Sequence, residues 1–502
     1  MKSKIAVITS IVLLVVNTNL SSQISHVAYF MRIPQNHLLN PAFKPASRFY
    51  IGIPVLTGVS GGFGNNFFEL TDILTPDLKA DSIISFQNPN FNLEKMAAKL
   101  KDRNTISADA SIQLLGIGFP IGQNLYFFAD VIDRMAAKTL FPREFMELYE
   151  LGATDFINKT IDISEMNLKG QYFREYGVGL SANVTGNLRI GGKIKLLSGI
   201  ASLSFINRSL HLRVNDDLSQ DVMADASLQI SGKEAINTIF ADNNFIFQSP
   251  DTLNTDVNVK GFLQEYLGAP LSNTGFGIDL GIVYNIGRLI TLSASVTDLG
   301  FINWIQDLKS YDANTSFSLP GITLQEVVDQ SFSIDDMISS LKDSIVNNFV
   351  QDPTPPAYKT YLPTKISVGG SLNIYSVLSF GLLSETRIFA GSAQETITLS
   401  ANTYLGRIFN AGLNYTIDNF NYNNLGFGLA FKGGFGQIYI IADKIPLTWE
   451  KVYFKTSGSG NYKAIPLPSK WNMFNFQVGM NITFGKFITR KTDKPMVIID
   501  QM

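Results

Sequence analysis

Residues 474–484 alternate without a break: Phe474, Phe476, Val478, Met480, Ile482 and Phe484 fall on one side of an extended chain, and Asn475, Gln477, Gly479, Asn481 and Thr483 on the other. Successive side chains of a strand point to opposite faces of a sheet, so this period makes a ribbon with one apolar face and one polar or small face. A half-buried strand in a water-soluble sheet averages about 5–6 residues, roughly half this run. A tilted strand crossing a bilayer needs about 9–11. The period recurs at Phe276, Ile278, Leu280, Ile282 and Tyr284 against Gly275, Gly277, Asp279 and Gly281, and again along 178–184, 188–196, 290–296, 366–374, 397–401 and 409–415. Repetition on this scale points to an all-β chain, a transmembrane antiparallel β-barrel that shows apolar side chains to lipid and polar or small ones to its lumen.

The connections support the same reading. Short turns at Thr185–Asn187, Asn285–Arg288, Leu405–Arg407 and Gly433–Phe435 alternate with long excursions at 64–104, 139–171, 231–273, 300–360 and 445–470. Barrels of the outer membrane keep short turns on the periplasmic side and long loops outside, so the last strand should descend to the periplasm. Strands read from Phe49 to Phe484 number 14, or 16 if the hairpin Ser209–Val214 with Val222–Ile230 also crosses. We take 14, with this hairpin an extracellular extension of the strand that begins at Leu188, and with turns at Asn207–Arg208 and Asn215–Asp217. Short helices are expected in two extracellular loops, at Pro142–Leu151 and within Leu324–Phe349, where apolar residues recur at helical spacing.

A helical membrane span takes roughly 20 apolar residues, and the only comparable run, Ile5–Val16, is shorter and follows Lys2 and Lys4. It reads as a secretory signal, with cleavage near Gln23. The expected organisation is a signal peptide at 1–22, an N-terminal hatch segment at 23–48 lying inside the lumen, a barrel at 49–485 and a periplasmic tail at 486–502. The chain has no cysteine, which excludes a disulfide framework and a lipidated N-terminal Cys. Its net charge of −2 lacks the basic excess that nucleic-acid partners require.

Little in the sequence carries reaction chemistry. The three histidines, His26, His37 and His211, are scattered and form no metal set, and no cofactor is expected. Ser209 and His211 share a strand face as a nucleophile and base would, but no orienting carboxylate is apparent; the chain is not expected to be an enzyme. The glycine-rich stretches 58–64 and 426–436 lack the Lys-Ser/Thr of a phosphate loop and read as strand-bending glycines. Arg189, Lys193, Lys195, Asp279, Glu385 and Arg387 fall on the predicted lumenal face, either as a mutually paired interior network or as the lining of a solute path.

The segment Gln35-Asn36-His37-Leu38-Leu39-Asn40-Pro41-Ala42-Phe43-Lys44-Pro45, just before the first strand, resembles the Asn-Pro-Ala element in the N-terminal hatch of FadL-type barrels. That family imports hydrophobic molecules and includes PorV-like barrels, which serve in type IX secretion as docking scaffolds and shuttles for proteins. Val296–Trp304 with Asn187–Gly192 is similar to an uncharacterised Bacteroidota outer-membrane family related to these barrels, and the likeness spans nearly the whole mature chain. The resemblance implies that Asn40, Pro41 and Ala42 belong to an element that plugs the lumen; no other ligand-contacting residue of the importers has a match. The expected place is the outer membrane of a Gram-negative cell, in contact with its lipids. The expected role is passage of a hydrophobic small molecule or, alternatively, the binding of secreted or surface proteins without solute transport.

Overall fold

Each strand of the ring pairs antiparallel with the next, and the last pairs with the first: Phe49 lies opposite Phe484, Ile51 opposite Ile482, and Val59 opposite Val478. The structure, a computed structural model, describes residues 26–45, 47–54, 56–73, 75–77, 82–84, 98–144, 153–217, 219–232, 240–241, 244–245, 273–319, 350–374, 377–405, 408–418, 421–455, 462–469 and 471–486. The strands used below are β1 (Ser47–Gly52), β2 (Gly58–Asn65), β3 (Arg103–Ile121), β4 (Leu125–Pro142), β5 (Asn167–Asn183), β6 (Leu188–Val214), β7 (Gln220–Ser231), β8 (Asn273–Ile286), β9 (Ile290–Trp304), β10 (Leu308–Leu319), β11 (Tyr358–Tyr361), β12 (Thr364–Ile374), β13 (Leu378–Phe389), β14 (Ser392–Leu405), β15 (Phe409–Asp418), β16 (Asn421–Gly433), β17 (Gly436–Ile445) and β18 (Met473–Lys486). β1 with β2 forms one stave and β11 with β12 another; β7 and β10 lie outside the ring, which closes with 14 staves. The first strand starts at Ser47, opposite Lys486, so the ring begins slightly before the boundary expected at 49. The signal sequence, the tail beyond 486, the helix expected within 324–349 and the end of the one expected at 142–151 lie outside the described residues.

Burial is inverted relative to a water-soluble protein. On β8, Phe276, Leu280, Ile282 and Tyr284 are exposed while Asp279 between them is fully buried; on β18, Asn475, Gln477, Asn481 and Thr483 are buried while Val478 and Ile482 face outward. Leucines, isoleucines and valines stand exposed all round the ring, an apolar surface far beyond what a soluble monomer shows. Hydrocarbon supplies the missing cover, and a closed ring leaves no unpaired backbone edge in it. The chain is therefore an outer-membrane β-barrel. Among the described residues no helix is long and apolar enough to cross a membrane.

Two irregularities shape the ring. Seven steps along the first stave, from Gly52 to Val59, span the distance covered by three steps of β18, from Asn481 to Val478. Pro54 has no N–H for the ladder, and Thr57 ends fully buried. β6 is 27 residues long, roughly 90 Å at about 3.3 Å per residue, three times the hydrocarbon thickness. Residues 188–199 pair with β8 in the ring, while 202–214 continue past it, pairing with β7, which pairs in turn with β10. This ledge has its own core of Ile161, Ile163, Leu212, Val214, Val222, Ala224 and Ala313. The hairpin is an extension, as expected, but Asn207–Arg208 is not a turn. Asn207 pairs with Ala226 and Ser209 with Asp225, leaving Arg208 as a bulge whose Nε donates to Asp225 at 2.6 Å. A bulge breaks the two-residue phase without reversing the chain, and in sequence the two look alike.

Candidate functional site

Residues 26–45 lie inside the ring. They form a short helix, α1 (His26–Phe30), and a 3-10 turn at Pro34–Leu38 that opens on proline, whose fixed φ and missing N–H suit a first helical position. Val27, Ala28, Tyr29, Met31, Ile33 and Leu39 pack against Leu383, Ala430, Tyr439 and Ile441 of the wall. Burying a side chain of this kind is worth about 1.5–3 kcal/mol against exposure to water, so the segment is firmly seated. Glycines make the seat. A Cβ on Gly428 would stand 2.4 Å from Met31 Sδ and 2.6 Å from Val27 Cγ1, and one on Gly191 would stand 2.2 Å from the Pro41 carbonyl.

Polar contacts reach staves on all sides. Gln35 and Asn481 exchange amide hydrogen bonds at 2.8 and 3.1 Å, and Gln35 Nε2 also donates to the Thr57 carbonyl at 3.2 Å, in the break of the first stave. Tyr29 Oη lies 2.9 Å from Ser293 Oγ, and the Arg32 N–H donates to Asn410 at 2.8 Å. Asn40 Oδ1 accepts the Ala42 N–H at 2.9 Å, closing an Asx turn over Pro41. Its Nδ2 then donates to the Ala294 carbonyl at 3.1 Å, while Ser181 Oγ donates to the Ala42 carbonyl at 3.2 Å.

One contact ties the segment to a buried ion network. His37 Nδ1 faces the Pro34 carbonyl at 2.7 Å, and Nε2 faces both Asp130 oxygens at 3.0 and 3.1 Å. Asp130 also accepts from Lys193 at 3.0 Å and from Gln113 at 2.8 Å. Behind Asp130, Lys193 bonds Glu175 at 2.7 Å; Lys195 meets Asp279 at 2.8 Å and Asp298 at 2.5 Å; Arg134 takes both Asp298 oxygens at 2.5 and 2.8 Å and Glu175 at 3.0 Å. Four carboxylates thus face Arg134, Lys193, Lys195 and the His37 ring. Asp298 has φ 61° at a shift of register between β8 and β9, a bulge that turns its carboxylate inward.

Residues 41–443 match a family of unknown function (DUF5723). The chain belongs to DUF5723. No curated protein matches it in sequence. Among solved structures, it is similar to a FadL homologue of Pseudomonas aeruginosa (10% identity, 93% of this chain and 100% of that one covered, TM-score 0.41). It is also similar to the toluene transporter TbuX of Ralstonia pickettii (10%, 90% and 95%, 0.39) and the toluene transporter TodX of Pseudomonas putida (9%, 90% and 94%, 0.39).

Of the charges read as lumenal in this DUF5723 chain, Lys193, Lys195 and Asp279 meet in the network just described. Glu385 lies apart, accepting from Ser367 at 3.1 Å beside His26 Nε2 at 3.3 Å; Arg387 pairs with Asp109; and Arg189 donates to Asn183 at 2.8 Å near a short turn, away from the other five. Sequence reasoning missed Asp130, Arg134, Glu175 and Asp298. On β4 the inward face carries Tyr126, Phe128 and Ile132 beside Asp130 and Arg134, so apolar residues stand on both faces and the alternation blurs; Asp298 is hidden by its bulge. A charge flanked two residues away by aromatic and aliphatic side chains is the signal that would have found Asp130. Beyond the ring, Ser209 Oγ lies 3.1 Å from His211 Nδ1, and His211 Nε2 is 4.0 Å from Asp162, too far for a hydrogen bond.

Proposed function

We propose that the chain is a FadL-like outer-membrane channel in which residues 26–45 are the hatch, and that a small molecule crosses when this segment leaves its seat. The observation that carries the reading is the seat itself: side chains from staves on all sides of the ring hold a segment that contributes no strand to it. Asn40, Pro41 and Ala42 are the hatch element, and Glu385 of the lumenal charges meets the segment directly, at His26. The cargo implied by the FadL resemblance is a hydrophobic small molecule, and the likeness of Val296–Trp304 with Asn187–Gly192 to a Bacteroidota family supports a source in that group. Asp162 stands too far from His211 to orient it as the base for Ser209, and no enzyme activity is proposed.

The ledge built on β6, β7 and β10 favours a second reading, a PorV-like scaffold that holds a secreted or surface protein outside. Two experiments separate them. Removing residues 26–45 should raise single-channel conductance in planar bilayers and change uptake of apolar compounds by cells. Conductance and uptake equal to those of the intact chain would overturn the channel. Affinity purification from gently solubilised membranes that recovers a stoichiometric partner through the ledge would favour the scaffold.

A further inference from the structure

The six short connections of the ring, and the strand halves that lead into them, carry no acidic side chain. Residues 110–129, 176–199, 280–297, 366–384, 396–417, 419–442 and 473–486 contain neither Asp nor Glu, and nor does the hatch with the first stave, 26–65, although the chain has 42 such residues. Cations gather at this end instead. Arg32 on the hatch is exposed, with its Cζ 3.7 Å above the centre of the Tyr404 ring. Arg48 is exposed at the start of β1, Arg189 lies at the start of β6, and Lys432 Nζ donates to Ser47 Oγ at 2.6 Å. Arg48, Arg189 and Lys432 share the faces of the buried Tyr50, Lys193 and Ala430, so all three point to the lumen. Lys44 sits close enough to Arg189 and Arg48 for their charge, after burial, to hold its amine down at about 8. These cations cross the mouth from β6, by way of the hatch and β1, to β16 and to Tyr404 on β14. Like charges gathered without a counter-charge repel one another, and an acidic surface laid over them relieves that repulsion.

We propose that this cationic strip is a docking surface for an acidic polypeptide segment, rich in Asp and Glu, of a periplasmic partner. The short-turn end faces the periplasm in barrels of this kind. Phospholipid headgroups lie outside the ring, whereas these side chains face inward. A cross-linked glycan sheet is too broad to follow Arg32 inside the rim; a loop or a chain end is narrow enough. The chain's own tail is no counterpart, since residues 487–502 hold Arg490, Lys491 and Lys494 against Asp493 and Asp500. The surface goes beyond the channel reading and does not depend on it. Because Arg32 and Lys44 belong to the hatch, a docked segment grips the hatch and the ring together.

The test is fluorescence anisotropy of fluorescein-labelled octaglutamate, with octaglutamine as the uncharged control, against the full-length barrel in maltoside micelles. Octaglutamate should bind saturably and octaglutamine should not. Arg32→Gln/Arg48→Gln/Arg189→Gln should weaken binding about tenfold or more. Arg103→Gln/Arg208→Gln, which removes cations paired with Glu165 and Asp225 at the opposite end, should leave it unchanged; heat-modifiable migration on gels shows that each variant is folded. Raising salt from about 0.1 M to about 1 M shortens the screening length from about 10 Å to about 3 Å and should abolish binding by the unaltered chain, a readout that needs no variant. Absence of octaglutamate binding, binding indifferent to salt, or equal binding by the triple variant overturns the docking surface. Co-sedimentation with purified sacculi that the triple variant loses, without octaglutamate binding, would give the mouth to the cell wall and overturn the polypeptide partner.

Discussion

His37 ties the hatch to the ion network around Asp130, and its two ring nitrogens do different work. Nδ1 to Pro34 holds the ring within the segment, while Nε2 to Asp130 joins the segment to the wall. Removing one partner of a buried pair costs about 3–5 kcal/mol, and here the cost falls on docking, because Asp130 keeps Lys193 and Gln113. His37→Leu should therefore make residues 26–45 cleavable by added protease while the ring stays heat-modifiable; protection equal to that of the unaltered chain would refute the latch. His37→Gln, which keeps one donor, should fall between. Lys44, at the end of the hatch, gives a pH-dependent readout. Burial first, then the Arg189 and Arg48 guanidinium groups, push its amine down to about 8. Between that value and the ordinary lysine range the unfolded chain binds more protons than the folded one, so stability should rise as pH increases across this window. Thermal unfolding followed from pH 7 to 10.5 should show that rise, and Lys44→Met should flatten it. Asn40-Pro41-Ala42 was legible in sequence as a local turn motif. The role of His37 was not, since a lone histidine shows its meaning only when a strand 93 residues away supplies the carboxylate.

Strands were legible where one face meets lipid, because hydrocarbon enforces the period residue by residue; they blurred where both faces are covered. β18 and β8 read cleanly for the first reason. β6 beyond Ile200 did not, since on the ledge apolar residues pack against protein and the bulge at Arg208 shifts the phase. If the ledge is an independently packed extension, damage there should stay there. Val214 is fully buried in its core, and a carboxylate at that point would be buried without a partner. Val214→Asp should expose the ledge to protease on intact cells while the ring retains heat-modifiable migration. Loss of the folded ring together with the ledge would show that the two form one cooperative unit.

At the scale of the molecule, a closed ring and a separate segment seated inside it pose a question of which part moves. The ring has no edge and every stave is paired on both sides, so its opening would break a ladder in lipid, whereas leaving the seat breaks only side-chain contacts. The segment is tethered at Ser47, where β1 begins. A chain without cysteine allows the movement to be stopped at chosen points. A Cβ on Gly428 lies 2.6 Å from Val27 Cγ1; one further bond of about 1.5 Å puts the two Cβ atoms no more than about 4.1 Å apart, within the range of a disulfide. By the same reasoning Asn40 and Gly281, with 3.0 Å between Cγ and the added Cβ, come within about 4.5 Å. Oxidising Val27→Cys/Gly428→Cys pins the far end of the hatch, and oxidising Asn40→Cys/Gly281→Cys pins it near the tether. If α1 alone swings away, the first lock should abolish solute flux into liposomes, with recovery on reduction, and the second should leave it untouched. Should the whole segment leave, both locks block flux. Flux indifferent to the first lock would mean that solutes pass, if at all, by a route the hatch does not control.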